Sequence, residues 1–410
     1  MKLLFTAFFT ALTGFAYAQY NGTGSVTQGP AATVVSNMYT CTGGRVTNVG
    51  TITASDNTVW TVPAAVNFQS STFPFASDLY NPCTGPLYAN TAAALAALTG
   101  SDIISIDTDG ELITAFVFAD NYFEMYINGT AVGKDDVPFT QFNSNIIRFR
   151  VKRPFTIAMH LVDWEENLGL GSENNNGFAY HPGDGGMVAV FKDASSSIIA
   201  TTGSDWKAQT FYTAPITDLA CPTETGTLRS SSACSTVDSN NGSQYYGLHW
   251  ALPTNWMDAA YNDADWPNAN TFTNAEIGVN NKPAYTNFTD IFDAPAKDAE
   301  FIWSSNVILD NEVIVRYKVL ASTTQDDKTL LQPIELIPNP ASNFVDITKA
   351  VNTYIEHSSL EIFNIFGDCV YTSVGSETRI DTSTWPSGCY VVKYTSSKGS
   401  QFRKLIIQSN

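Results

Sequence analysis

Ala119-Asp120-Asn121-Tyr122-Phe123-Glu124-Met125-Tyr126-Ile127-Asn128-Gly129-Thr130-Ala131-Val132-Gly133 decides how the rest of the chain is read. Tyr122, Glu124 and Tyr126 alternate with Phe123, Met125 and Ile127, the period of a strand, and Asn128-Gly129 is the dipeptide that most easily takes positive φ in a two-residue hairpin. Upstream, Asp109-Gly110 predicts another turn between Ile103-Ile104 and Leu112–Phe118, so three strands are expected to pair in sequence. Downstream, Ile147, Phe149 and Val151 alternate with cations across Ile146–Lys152, a half-exposed strand, and Thr156–Val162 and Met187–Phe191 read as strands too. Ala92–Leu98 is the one run of strong helix formers singled out.

Composition supports an all-β reading. With 410 residues, 44% apolar and 12% aromatic, the chain folds into two or three domains. Only 15% of residues are charged, and abundant Asn, Thr, Ser and Gly suit loop-rich exported modules. A net charge of −18 repels phosphate backbones, so no nucleic-acid partner is expected, and the same charge attracts cations such as Ca²⁺. Lys2, the apolar run Leu3–Phe15 and Ala16-Tyr17-Ala18 read as a secretory signal peptide over 1–18. No later stretch reaches the ~20 apolar residues of a membrane helix, so no transmembrane segment is expected. Six cysteines in an exported chain point to disulfides. Sequence proximity pairs Cys41 with Cys83, Cys221 with Cys234 and Cys369 with Cys389, one of fifteen connectivities.

The polar Asp120-Asn121 lead-in, aromatic strand and Asn128-Gly129 turn resemble the hairpin of galactose-binding-like jelly rolls. Tyr261, Asp263, Asp265, Trp266 and Pro267 are similar to a second phrase of those modules, and Phe301-Ile302-Trp303 to the strand that follows it. The resemblance implies a β-sandwich that holds glycan. In the usual order the Asp-Trp-Pro phrase comes first, whereas here it follows the hairpin, so the region is either one permuted sandwich or two related modules. The expected layout is an N-terminal β-rich segment over 19–100 that packs on the main domain, a sandwich over 101–320, a polar linker over 321–332 and a further block over 333–410.

That block runs through Ile337-Pro338-Asn339-Pro340-Ala341-Ser342-Asn343-Phe344, Leu360–Gly367, Ile380-Asp381-Thr382-Ser383, Trp385-Pro386-Ser387-Gly388-Cys389-Tyr390 and Lys404-Leu405-Ile406-Ile407-Gln408. The series resembles the type A C-terminal sorting domain of the type IX secretion system, every landmark in order. Its alternation suits a small Ig-like antiparallel sandwich, with Gly367 and Gly388 where strands bend or turn. The resemblance implies recognition by the type IX machinery, passage across the outer membrane and a secreted or surface location in a Gram-negative bacterium. Cys369 and Cys389 stand where that family carries aliphatic residues.

Candidate chemistry concentrates between His160 and Asp184. Asp163, Glu166 and Asp184 suit Ca²⁺ as hard oxygen ligands. Glu165 and Glu166 are adjacent and diverge, so a glycosidase pair would need Glu165 with Glu173 or Asp184. A solvated acidic loop is the third reading. Trp164, Tyr180, His181 and Trp206 are the candidate carbohydrate contacts, since aromatic faces stack on sugar rings; each also reads as core. Three functions follow: a non-catalytic glycan-binding protein, a polysaccharide hydrolase or lyase using the acidic loop, and a structural or adhesive surface protein. The absence of a nucleophile elbow, zinc helix or phosphate loop motif favours the non-enzymatic readings.

Overall fold

The computed structural model describes residues 20–139, 141–238, 242–294, 299–321, 334–349, 359–374, 379–396 and 399–408. The expected signal peptide and all but the first residue of the expected linker lie outside these. Strands hold 47% of residues and helices 7%, so the chain is all-β. It divides into two compact units, Met1–Ala321 and Ser322–Asn410.

The first unit is a sandwich of two sheets. One runs in the order Ser25–Gln28, Tyr246–His249, Lys207–Ile216, Asp310–Val319, Phe155–Val162, Tyr122–Ile127, Thr130–Lys134. The other runs Asn270–Phe272, Phe301–Trp303, Gly186–Lys192, Glu111–Asp120, Ser144–Val151, Ser77–Tyr80. Asn128 and Gly129 take φ of 50° and 84°, the positive values that let a two-residue turn follow the twist of its strands. The Asn128-Gly129 hairpin and Phe301–Trp303 belong to the two facing sheets of this one unit. The segment before residue 100 does more than pack on this body, because it supplies an edge strand to each sheet.

The three strands expected to pair in sequence do not. Ile103–Ser105 lies parallel to Ser144–Val151, and Glu111–Asp120 and Tyr122–Ile127 belong to opposite sheets. Burial explains the outcome: Phe116 and Phe118 on one strand and Phe123 and Met125 on the other all enter the same core, which two facing sheets achieve and one continuous sheet does not. Each such buried side chain contributes roughly 1.5–3 kcal/mol.

Residues alternating with the core set face outward from the first sheet, and this face is covered as well. Tyr126, Ala158, Phe211 and Ile314 lie in a second cluster under Trp250, Trp256 and Trp266. The covering loop is fastened by Arg316, 2% exposed. Its Nε donates to Asp263 Oδ2 at 2.7 Å, and its other nitrogens donate to the carbonyls of Trp256, Asp258 and Tyr261. The Asp-Trp-Pro phrase is thus held by a buried, multiply bonded guanidinium.

The second unit is a small antiparallel sandwich as expected. Ile334–Ile337, Phe344–Lys349 and Arg379–Asp381 form one sheet, and Cys369–Val374, Ser359–Phe363, Gly388–Ser396 and Gly399–Ile407 the other. Val345, Ile362, Ile380, Val392 and Leu405 fill the space between them. Asn339, between its two prolines, accepts from Ile406 N at 2.9 Å and donates to Lys404 O at 2.8 Å, fastening the opening turn to the last strand.

Cys41–Cys83 and Cys221–Cys234 are disulfides. The pairing of Cys369 with Cys389 is corrected: both are free. Ser359–Phe363 lies between their strands, and two strand spacings put the cysteines roughly 10 Å apart, beyond disulfide reach.

Candidate functional site

In the loop 163–184 the carboxylates divide into those held by protein partners and a group that lies close together. Glu165, 2% exposed, accepts from the amides of Gly169, at 2.9 Å, and Gly171, and from the Tyr212 hydroxyl. It organises the loop from within, and burial pushes its pKa up to about 7 despite those bonds. Glu166 and Glu173 both bind Arg45, at 3.3 and 2.7 Å, and Asn174 N donates to Glu166 as well. Asp163 is joined instead to Asp120, Glu173 and Asp184 by mutual repulsion. Burial and these neighbours raise the Asp163 and Asp120 carboxyls well above the usual range, and burial raises Glu173 to about 7 and Asp184 to about 6. Among the described residues no three Asp, Glu, His or Cys side chains are arranged to hold a metal ion.

Two of the four proposed sugar contacts are core residues. Trp206 is fully buried, stacked on Tyr317 at 5.0 Å with Nε1 donating to Thr201 O. Trp164 is 1% exposed, edge-on to Tyr122, its Nε1 donating to Asn48 O. Neither offers a face to a ligand. Tyr180 and His181 are partly exposed on the hairpin Ser172–Pro182, and His181 Nδ1 lies 2.7 Å from Asp238.

His160 lies on the covered face of the first sheet. Its Nε2 is 2.9 Å from Glu312 and its Nδ1 3.7 Å from Glu124. Burial works against its charge, but the two glutamates outweigh burial and raise the pKa to about 10. The imidazolium is 2% exposed, with Trp256 edge-on above it, and ties three strands together.

The concave polar site lies elsewhere. A cleft of about 330 Å³ opens where strand Lys207–Ile216, strand Asn270–Phe272 and the hairpin Thr223–Thr225/Leu228–Ser230 meet. Its walls carry hydroxyl and amide groups: Thr223, Thr225, Ser230, Asn268, Ser304 and Ser305. Leu228, 51% exposed, adds an apolar surface. Behind the serines Asp310, with no exposed surface, accepts from Ser304, Ser305, Ser231 and Thr213, fixing those hydroxyls. Two lining side chains keep unused polar capacity. Gln209, 2% exposed, donates through Nε2 to Thr227 O while its Oε1 has no partner. Arg229 donates through Nη1 to Thr210 O at 2.6 Å while its Nε has none. Arg229 also stacks over Phe211 and Trp250, 4.9 and 4.6 Å from the ring centroids. The disulfide Cys221–Cys234 closes the loop that carries the hairpin.

The Cys221–Cys234 pairing is legible in the sequence, and the cleft beside it is not. Gln209 and Arg229 carry no motif, and only pairing brings residues 209, 229, 268 and 304 together. A second recess, about 480 Å³, is lined by Phe272, Asn274, Asp293 and Glu300 among others. Asp293 there already accepts from Tyr285 and Asn274.

Residues 335–408 match the Secretion system C-terminal sorting domain family. This block is the type IX sorting tail, which directs the chain to the secretion machinery and to the surface or exterior of a Gram-negative bacterium. No helix among the described residues is long and apolar enough to cross a membrane. No curated protein matches the chain. Among solved structures it is similar to the Faecalibacterium prausnitzii beta-glucuronidase, at 10% identity over 95% of this chain and 45% of that chain, TM-score 0.15. Dimeric latent PorU from Porphyromonas gingivalis matches at 11% identity over 95% and 34%, TM-score 0.15. The apo Pleurotus ostreatus lectin matches at 10% identity over 95% and 86%, TM-score 0.18. At these TM-scores the likenesses carry no argument, and the chain spans less than half the length of the first two.

Proposed function

We propose that the sandwich is a non-catalytic carbohydrate-binding module, delivered to the cell surface or the medium by its sorting tail, and that its ligand site is the cleft at Gln209 and Arg229. One observation carries this reading: a concave site walled by hydroxyls and amides, whose serines are oriented by a buried carboxylate and whose lining adds the amide of Gln209 and the guanidinium of Arg229. Sugar hydroxyls both donate and accept, so they complement such a pair, and Leu228 suits the C–H face of a ring.

The carboxylates support binding over catalysis, because Glu165, Glu166 and Glu173 are held by loop amides and Arg45. A glycan array probed with the full chain, with a reducing-sugar assay on every hit, tests the reading. Binding without sugar release is expected, and it should fall at least tenfold in Gln209→Leu while Glu165→Gln retains it. Sugar release that disappears in Glu165→Gln or Asp184→Asn would replace this reading with the enzymatic one. A calcium requirement is a separate proposal, tested by repeating the array with EDTA.

A further inference from the structure

The charge balance around Arg229 singles out the kind of sugar. The chain has 21 basic and 39 acidic residues, so a partly buried cation here has carboxylates in excess to choose from. Arg45, Arg148, Arg153, Arg316 and Arg379 all form ion pairs. Arg229 forms none among the described residues, nor do Arg150 and Arg403, but Arg229 alone of these three lines the cleft. Its cross-strand neighbour is Glu224, which lends it favourable field, but the Glu224 oxygens are taken by Tyr20 OH, the Thr23 amide and hydroxyl, and Trp250 Nε1. The guanidinium is instead flanked by two aromatic rings and one carbonyl.

A desolvated cation without a paired anion is unfavourable, and it persists where a ligand supplies the missing charge. Nη1 is occupied by Thr210 and Nε is enclosed by protein, which leaves Nη2 as the guanidinium donor able to meet a ligand carboxylate. The rings behind it hold the guanidinium plane. Lys207 stands behind one wall with its Nζ on Asn268 Oδ1 at 2.9 Å, and Arg229 is the cation among the lining side chains, amid hydroxyl and amide contacts.

We infer that the cleft recognises a carboxylated sugar, a uronate unit within a glycan chain, with Arg229 binding its carboxylate and Gln209, Ser304 and Asn268 serving its hydroxyls. This deepens the carbohydrate-binding reading and rests on it. It assigns Arg229 the role of specificity determinant: neutral chains of the same backbone fit the walls but leave the cation unpaired.

The test measures binding of the full chain to polygalacturonate, alginate and hyaluronan, each beside its carboxyl-reduced counterpart, together with a sulfated glycan lacking uronate. At least one uronan should bind at least tenfold tighter than its reduced form, with affinity falling as salt rises. Arg229→Gln should abolish that preference, and Arg229→Lys should restore it in part, since a lysine keeps the charge but not the planar group stacked on Phe211 and Trp250. The wild-type comparison between acid and reduced ligand requires no variant and stands even if Arg229→Gln misfolds. Equal binding of acid and reduced chains would overturn the carboxylate inference while leaving the glycan reading intact. Binding confined to sulfated chains would also overturn it. No binding to any of these, nor to the glycan array, would remove both readings.

Discussion

Glu165 offers a quantitative check on how the loop 163–184 is built. It is buried, and its carboxyl is pushed from the ordinary glutamate value of 4.5 to about 7, chiefly by desolvation and in spite of the Gly169 and Gly171 amides. The folded pKa exceeds the unfolded one, so between roughly these two values the folded chain holds a proton that the unfolded chain releases. Stability is therefore present at low pH and lost as pH rises through that window. Each unit is worth about 1.4 kcal/mol, and a span of about 2.5 units gives about 3 kcal/mol from this one residue. Glu165→Gln removes the titration while keeping the shape. The variant should be less stable than wild type at pH 5, because an amide opposes one of the two loop N–H donors at a cost of about 1–3 kcal/mol. That deficit should shrink by about 2.5 kcal/mol on going to pH 8, part of the span being already lost at pH 5. Urea unfolding from pH 5 to 8, followed by tryptophan fluorescence, measures it, since of the eight tryptophans only Trp385 lies outside the first unit. A stability gap that stays constant across this range would refute the assignment of the buried proton to Glu165.

Arg316→Met should destabilise the sandwich by about 3–5 kcal/mol, because Asp263 and three carbonyls lose their common donor; thermal unfolding reads the loss, and a shift within experimental error would show that the Trp256–Pro267 loop is held by its aromatic contacts instead. The double variant Cys221→Ser, Cys234→Ser opens a loop of sequence separation 13, worth about 3 kcal/mol of chain entropy, and should weaken glycan binding because that loop carries Leu228 and Arg229; unchanged binding would detach the hairpin from the site. Cys369 and Cys389 should both react with an alkylating reagent in the unreduced native chain, the exposed Cys369 faster, whereas mass spectrometry finding no modification would contradict the free thiols.

What the sequence determined by itself was local or ordered along the chain. The Asn128-Gly129 turn, the alternation in Ile146–Lys152, the short helix at Ala92–Leu98, two of three disulfides and the landmarks of the sorting tail all depend on neighbouring residues or on a fixed series of them. Tertiary structure decided whatever depends on which strands face each other. Adjacent runs 111–120 and 122–127 went to opposite sheets because both carry large apolar residues that only a shared core buries. Trp164 and Trp206, legible as either platform or core, became core for the same reason. Glu165 became a loop organiser once the Gly169 and Gly171 amides turned toward it. The cleft was invisible because Gln209, Arg229, Asn268 and Ser304 share no periodicity. They meet only through long-range pairing, a property no sequence window contains.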